Sequence, residues 1–528
     1  MKKLFVLLSV VIASFTFVSC DFLNSTTVLD TTDRNTTTAG TTEMTTTEII
    51  TTANVSTTQV ITLQTTTTEA TTTETTTIES TTTQTTTLEP VTTQTTETPL
   101  YLFKPTGYSL LQDELDYVGI PSIGSPKVLV FAVDFSDYTS AEYGLPISDI
   151  ETVFNGEKGD MEFESLNSFY LESSYGKLDL TADVYGYYRA SQSAEYYEDE
   201  FTKLWATNPI TGEYLYDDDE VTYPESDLIY EILDYYDGEI DYSDYDYNND
   251  GFIDGIYIVY THPVSYSFGS DLWWAYQDIY VYEGDLFDGV EPLYFCWSGT
   301  EFMTEDDPLN ARTIIHESGH MMGLDDYYDY DNSDNYNEGG LAGADMMDSA
   351  YGDHGAFSKL LLGWITPIVV EGNITIDILP FVNNGDVILV IDEWNDTIFD
   401  EYFLITLYTP TGLYEEDAFV YFTLSGVMIY HVSAEIGNGF IEDSAYWTIF
   451  NNNNTDTQNK VVKYLEADND HSVENTEYTE NSDLFQEGDI FGDGVYSNYQ
   501  WYDGTDVGFD IKIDLVSLTT AEITIIFE

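Results

Sequence analysis

The chain has 528 residues, 42% of them hydrophobic, with 44 Tyr and 28 Phe, enough for a sizeable core and more than one domain. Its 14 Lys and Arg stand against 96 Asp and Glu, a formal charge of −82. Such a surface repels nucleic acid and anionic lipid and keeps the protein soluble, and it supplies hard oxygen ligands for calcium, although most of the carboxylates read simply as a solvated acidic surface.

At the start of the chain, MKKLFVLLSVVIASFTFVSC places two lysines before an apolar run that ends at Val18-Ser19-Cys20. A charged start, a short apolar core and a small-residue cleavage site describe an export signal over residues 1–20. Its end resembles a bacterial lipoprotein signal. That resemblance implies cleavage before Cys20, a lipid on the Cys20 thiol and attachment at the extracellular face of a bacterial membrane, or secretion where the stalk is cut. An ordinary signal peptide with an incidental cysteine is the plainer alternative. No other segment approaches the roughly 18 consecutive apolar residues of a membrane span. Residues 21–100 are a Thr-rich tract with scattered Glu and Gln, almost without aromatics or apolar periodicity. Such a tract cannot bury enough surface to offset the entropy of folding. It is expected to form a disordered stalk, with glycosylation and a role as a cleavable pro-segment left open.

A globular body begins near Tyr101. PKVLVFAVDFSD (126–137) predicts a buried strand that ends in turn residues. In 160–188 the spacing of Phe163, Leu166, Phe169 and Tyr170 predicts a helix, closed by Gly176 and followed by an alternating strand. ESDLIYEILDYY (225–236) puts Leu228, Ile229, Ile232 and Leu233 on one helical face, and GFIDGIYIVYTH (251–262) reads as a second buried strand. Alternating strands and helices make this half α/β or α+β. Within DYNNDGFID, residues Asp246, Asn248, Asp250 and Asp254 surround Gly251 in a pattern similar to a calcium loop. Tyr257 stands where an EF-hand loop has its bidentate Glu, so the loop is not a full EF-hand, and chance matches are less rare in so acidic a chain; calcium is the expected occupant of the loop. Cys296 in LYFCWSG reads as a buried thiol, and with Cys20 set aside no intramolecular disulfide can form.

The stretch ARTIIHESGHMMGLDDYYDYD (311–331) carries two of the chain's six histidines one helical turn apart. Residues i and i+4 share a helix face, so His316 and His320 can aim both imidazoles at one ion. Glu317 lies close enough to reach a water on that ion without ligating it. This H-E-x-x-H arrangement predicts zinc, with Glu317 as general base. Gly323 can take the positive φ that ends the helix and turns the chain back, and Asp326 follows three residues later as the expected third ligand. Asp325, one residue early, points elsewhere, and Glu338 in a Gly- and Asn-rich loop is a weaker rival. The helix is expected to start near Asp307-Pro308, with Leu309, Ile314, Ile315 and Met322 apolar.

The full pattern, H-E-x-x-H-x-x-G-x-x-D, resembles the metzincin signature with Asp in place of its third His. That resemblance implies a methionine-bearing turn beneath the metal, which LAGADMMDSAYGDHGAFSKLLLGW (341–364) offers at Met346 or, preferably, Met347. Core packing explains either methionine equally well. Tyr351 and His354 are candidate hydrogen-bond donors to an oxyanion, with packed or solvated side chains the plainer reading. After Trp364 come NITIDILP, GDVILVIDE, EYFLITLYTP, AFVYFTLSGVMIYHVS and IKIDLVSLTTAEITIIFE, β-branched and aromatic runs divided by Gly, Asn and Pro. They predict an all-β, sandwich-type domain over 367–528.

Together HESGHMMGLDDYYD, DMMDSAYGDHGAFSKLLLGW, VLVFAVDFSD and FYLESSYGKLDL resemble the immune inhibitor A family of secreted bacterial zinc metallopeptidases, over about residues 126–366. The likeness continues faintly through EYFLITLY, GVMIYHVS and DLFQEGD. It implies an α+β zincin-like metallopeptidase domain over 101–366, zinc on His316, His320 and Asp326, and Glu317 as the acid/base that activates a zinc-bound water against peptide bonds of extracellular proteins. The Thr-rich tract and lipoprotein-type signal depart from the family's pro-domain. The other class kept in view is a non-catalytic, calcium-stabilised surface adhesin, for which an acid/base beside the metal has no use.

Overall fold

A strand apolar on both faces needs cover on both faces. The run Val128–Val133 sets that demand, and the computed structural model meets it with helices on either side of one sheet. The structure describes residues 101–102, 109–207, 215–216, 221–264, 272–304, 309–329, 340–341, 344–415, 422–437, 448–455, 457–470, 473, 479–492 and 496–528. The expected signal with Cys20, the stalk and Glu338 lie outside these.

After a short strand β1 (Tyr101–Leu102) come β2 (Lys127–Asp134), β3 (Thr181–Arg189), β4 (Ile256–Tyr260), β5 (Tyr276–Ile279) and β6 (Tyr294–Gly299). Strands β2 to β6 form one sheet in the order β3-β2-β4-β6-β5. Its first four strands are parallel, and β5 runs antiparallel to β6 at the edge. Val128, Val130 and Ala132 face a core shared with helices Ile147–Asn155, Leu166–Ser173 and Arg312–Met321. Leu129, Phe131 and Val133 face the opposite way, onto helices Ala194–Trp205 and Pro224–Tyr236. Pro224 opens the last of these at a position where a missing N–H is harmless, and Leu228, Ile229, Ile232 and Leu233 are buried as their spacing requires. The helix after Phe163 starts only at Leu166, because Ser165 and Ser168 exchange side chain to backbone hydrogen bonds in a capping box. Phe163 therefore precedes the helix and packs on the core from outside it.

The remaining strands are β7 (Ile368–Val370), β8 (Ile374–Ile378), β9 (Ile388–Val390), β10 (Glu401–Tyr408), β11 (Gly426–Ser433), β12 (Val462–Leu465), β13 (Ile490–Phe491), β14 (Phe509–Val516) and β15 (Ala521–Phe527). They form a six-stranded sheet, β1-β7-β9-β10-β11-β12, and a four-stranded sheet, β13-β14-β15-β8. Phe403, Ile405, Val427 and Ile429 on one face of the larger sheet share a core with Phe509, Ile511, Ile523 and Ile525 of the smaller. On its opposite face Tyr402, Leu404, Met428 and Tyr430 join the core that contains Phe357, Leu361, Trp364 and Ile314. The expected boundary near residue 366 is thus a change of secondary structure with no break in the core, and the described residues on both sides of it belong to one unit. The architecture is mixed α/β with a two-sheet β portion. No helix among the described residues is long and apolar enough to cross a membrane.

A buried ion pair ties the two halves. Lys359 Nζ meets Asp353 Oδ2 at 2.5 Å, with both side chains fully buried, and Ser173 Oγ donates to Asp353 Oδ1 at 2.5 Å. The Lys359 ammonium also lies 4.5 Å from the Tyr175 ring centre and 5.1 Å from that of Phe381 beyond the expected boundary. Replacing Lys359 with Met should cost about 3–5 kcal/mol by stranding a buried carboxylate. Lys359→Met/Asp353→Asn should recover much of that loss, and guanidinium unfolding of both variants measures it.

Candidate metal centre

The H-E-x-x-H helix begins at Arg312, later than the sequence predicts. The Asn310 side chain accepts the Arg312 N–H at 2.8 Å, so residues 309–311 form its lead-in and Leu309 lies before the helix. Three tyrosine hydroxyls fix the helix in the core. Tyr170 donates to the Ile315 carbonyl at 2.7 Å, Tyr117 to the His320 carbonyl at 2.9 Å, and Tyr257 is 2.6 Å from Ser318 Oγ. Gly323 has φ +98° and turns the chain back as its position predicts, with its N–H on the His320 carbonyl at 2.8 Å.

The turn brings His316, His320 and Asp326 together. His316 Nε2 is 2.9 Å and His320 Nε2 3.2 Å from Asp326 Oδ1, and the two Nε2 atoms are 3.2 Å apart. On the other side of each ring Nδ1 meets a backbone carbonyl, Met346 at 2.9 Å for His316 and Leu324 at 2.8 Å for His320. A carbonyl only accepts, so Nδ1 carries a proton on each ring, and Nε2 faces the centre, where it would offer a lone pair to a cation that displaces any proton held there. Two imidazole nitrogens and a carboxylate oxygen converge there. The residues fit a zinc ion: a tetrahedral site with bonds of about 2.1 Å has ligand–ligand edges of about 3.4 Å. Two imidazoles and one carboxylate leave a fourth position for water or substrate, the pattern of a catalytic site.

Electrostatics follows the same geometry. Burial opposes charge on His316 and His320, yet Asp326 outweighs it and raises both, His320 to about 10. Burial also opposes charge on Asp326, but the two histidines hold its carboxyl far below the usual range. Glu317 is buried beside them, and burial raises its pKa although the histidines pull it down. Its carboxylate is within reach of the Gln277 backbone N–H on edge strand β5.

Met346 and Met347 are both buried in the turn at Met346–Ser349. The Met347 sulfur presses on Gly319 where any Cβ would stand, and Met346 supplies the carbonyl that orients His316. His354 is fully buried against Phe169, Tyr170 and Trp364, the packed reading of that residue. Tyr351 stacks under the Arg312 guanidinium at 4.6 Å. Asp325 turns from the centre and accepts from Thr448 Oγ1 at 2.5 Å; burial raises its pKa to about 6. Cys296 is buried in β6, as its apolar surroundings predict.

Asp246, Asn248, Asp250 and Asp254 share one loop, but the three carboxylates are not drawn into a cluster of the kind His316, His320 and Asp326 form. Both Asp246 oxygens accept backbone N–H groups, from Asp250 at 2.9 Å and Gly251 at 3.1 Å. Burial, with Asp250 and Asp246 nearby, pushes Asp254 up to about 8.

The sequence reading missed the partners of the ligand turn. Asn454, buried in the run NNNN (451–454), donates from Nδ2 to the Tyr327 carbonyl at 3.0 Å and the Val462 carbonyl at 2.9 Å. With Thr448 on Asp325, it clamps the segment that carries Asp326. A polar run has no local signal for this, since only its burial against a distant turn reveals it. No protein-family model matches the chain, and no curated protein matches it.

Two outcomes follow. Gly319→Ala sets a methyl against the Met347 sulfur and should cost about 1–3 kcal/mol, read as a lowered melting temperature. If His316, His320 and Asp326 hold zinc, Asn454→Ala should weaken its binding about tenfold or more, as loss of a support behind a ligand does; competitive chelator titration reads it.

Proposed function

We propose that the chain is a zinc-dependent endopeptidase similar to the immune inhibitor A family, built on a zincin-like α+β half. The observation that carries this is the convergence of His316 Nε2, His320 Nε2 and Asp326 Oδ1 at 2.9–3.2 Å with a buried carboxylate, Glu317, alongside. A binding protein has no need of a proton acceptor at that position, which favours the enzyme over the adhesin.

When bound, zinc lowers the pKa of a coordinated water and polarises a carbonyl. The chain's own residues do the rest. His316 and His320 are oriented by the Met346 and Leu324 carbonyls, and Asp326 is held by the turn at Gly323. Glu317 accepts the proton of the attacking water at its carboxylate and returns it to the departing amide nitrogen. Burial raises its pKa, which suits a group that must both take and give a proton. Strand β5 ends its sheet, and an extended peptide can add its backbone to such an edge. Extracellular protein substrates, a lipid anchor at Cys20 and calcium in the 246–254 loop belong to the same proposal.

Glu317→Gln keeps the shape of the side chain and removes its basicity. It should retain one zinc per chain by metal analysis while casein hydrolysis falls about 10²- to 10⁴-fold. Full proteolysis by this variant would refute the role of Glu317.

A further inference from the structure

A second group of side chains with metal-ligand geometry lies in the C-terminal half. Donor atoms of Glu466, Asp468, Asp470 and Asp483 all fall within 4.8 Å of one another. Glu466 follows β12 directly, Asp468 and Asp470 continue at alternate positions, and Asp483 closes a 3-10 turn, Asn481–Asp483. Bonds that involve none of the four carboxylates bring these segments together. Ala467 N–H donates to the Asp483 carbonyl at 2.8 Å, Tyr464 donates its hydroxyl to the same carbonyl at 2.8 Å, and Tyr496 donates its hydroxyl to the Glu466 carbonyl at 2.7 Å. The scaffold therefore gathers four like charges.

Exposed acidic clusters need no ion, and Asp468 and Asp470 alone would be one. Asp483 differs because it is fully buried. Its Oδ2 accepts the Glu480 N–H at 2.6 Å, whereas Oδ1, also buried, has no hydrogen-bond partner among the described residues. A carboxylate oxygen removed from water and left unmatched bears its full desolvation cost, and buried Glu466 sits beside it. Burial, with Glu466, Asp468 and Asp470 close by, pushes the Asp483 carboxyl up to about 7.

We propose that Glu466, Asp468, Asp470 and Asp483 bind a calcium ion that fastens the loop after β12 to the turn at 481–483. Four carboxylates without a nitrogen or sulfur donor suit a hard cation, and calcium accepts irregular oxygen cages more readily than magnesium does. The site is separate from the H-E-x-x-H centre and does not depend on the reading of that centre.

The test is a calcium titration by calorimetry on the full chain after EDTA treatment, wild type against Asp468→Asn/Asp470→Asn. Both changed side chains are exposed, so the double variant keeps the buried packing. It is expected to bind one calcium fewer per chain and to lose part of the rise in melting temperature that calcium gives the wild type. A second variant, Asp483→Asn, should lose the same equivalent and melt no lower than wild type in EDTA. If that variant does not fold, the double variant alone decides. Equal stoichiometry and affinity in the wild type and the double variant overturns the site.

Discussion

The centre depends on two hydrogen bonds that never touch a ligand atom. The carbonyls of Met346 and Leu324 hold the protons on Nδ1 of His316 and His320 and turn both Nε2 atoms inward. Lose either bond and a ring can rotate or change tautomer, placing a proton where a lone pair is needed. The two carbonyls come from different places, one from the methionine turn and one from just past Gly323. The order of the centre is therefore inherited from the path of the backbone on both sides of the helix.

That path is held by the C-terminal half. Thr448 holds Asp325 and Asn454 holds the Tyr327 carbonyl, on either side of Asp326. The larger β sheet has one face on the smaller sheet and the other on the core beneath the H-E-x-x-H helix. It is a middle layer, and the Lys359–Asp353 pair lies where the two halves meet.

What could be read from the chain, and what could not, divides by range. The three side chains of the candidate metal centre are within eleven residues of sequence, and i, i+4 spacing plus a glycine able to adopt φ +98° is local information. The apolar runs of β2 and β4 and the helical face of Leu228 to Leu233 were legible for the same reason. The start of the H-E-x-x-H helix was misplaced because a side chain at Asn310 competes with the backbone for the first N–H. Strands β5 and β12 are only four residues each and owe their pairing to neighbours distant in sequence. The continuity of the core leaves a trace in the sequence too: YFLITLY and GVMIYHVS lack the polar alternation of a half-solvated sheet, which signals burial on both faces. The clamp at Asn454 left none.

The middle layer has a bearing on how the polypeptide can be shortened. Ending it at residue 366 would bare Phe357, Leu361 and Trp364 to water and free the turn that carries Asp326. An amino-terminal fragment with every residue of the H-E-x-x-H stretch intact would then be prone to aggregate and would lose the alignment of His316, His320 and Asp326, so the carboxyl end cannot be trimmed without disturbing that centre.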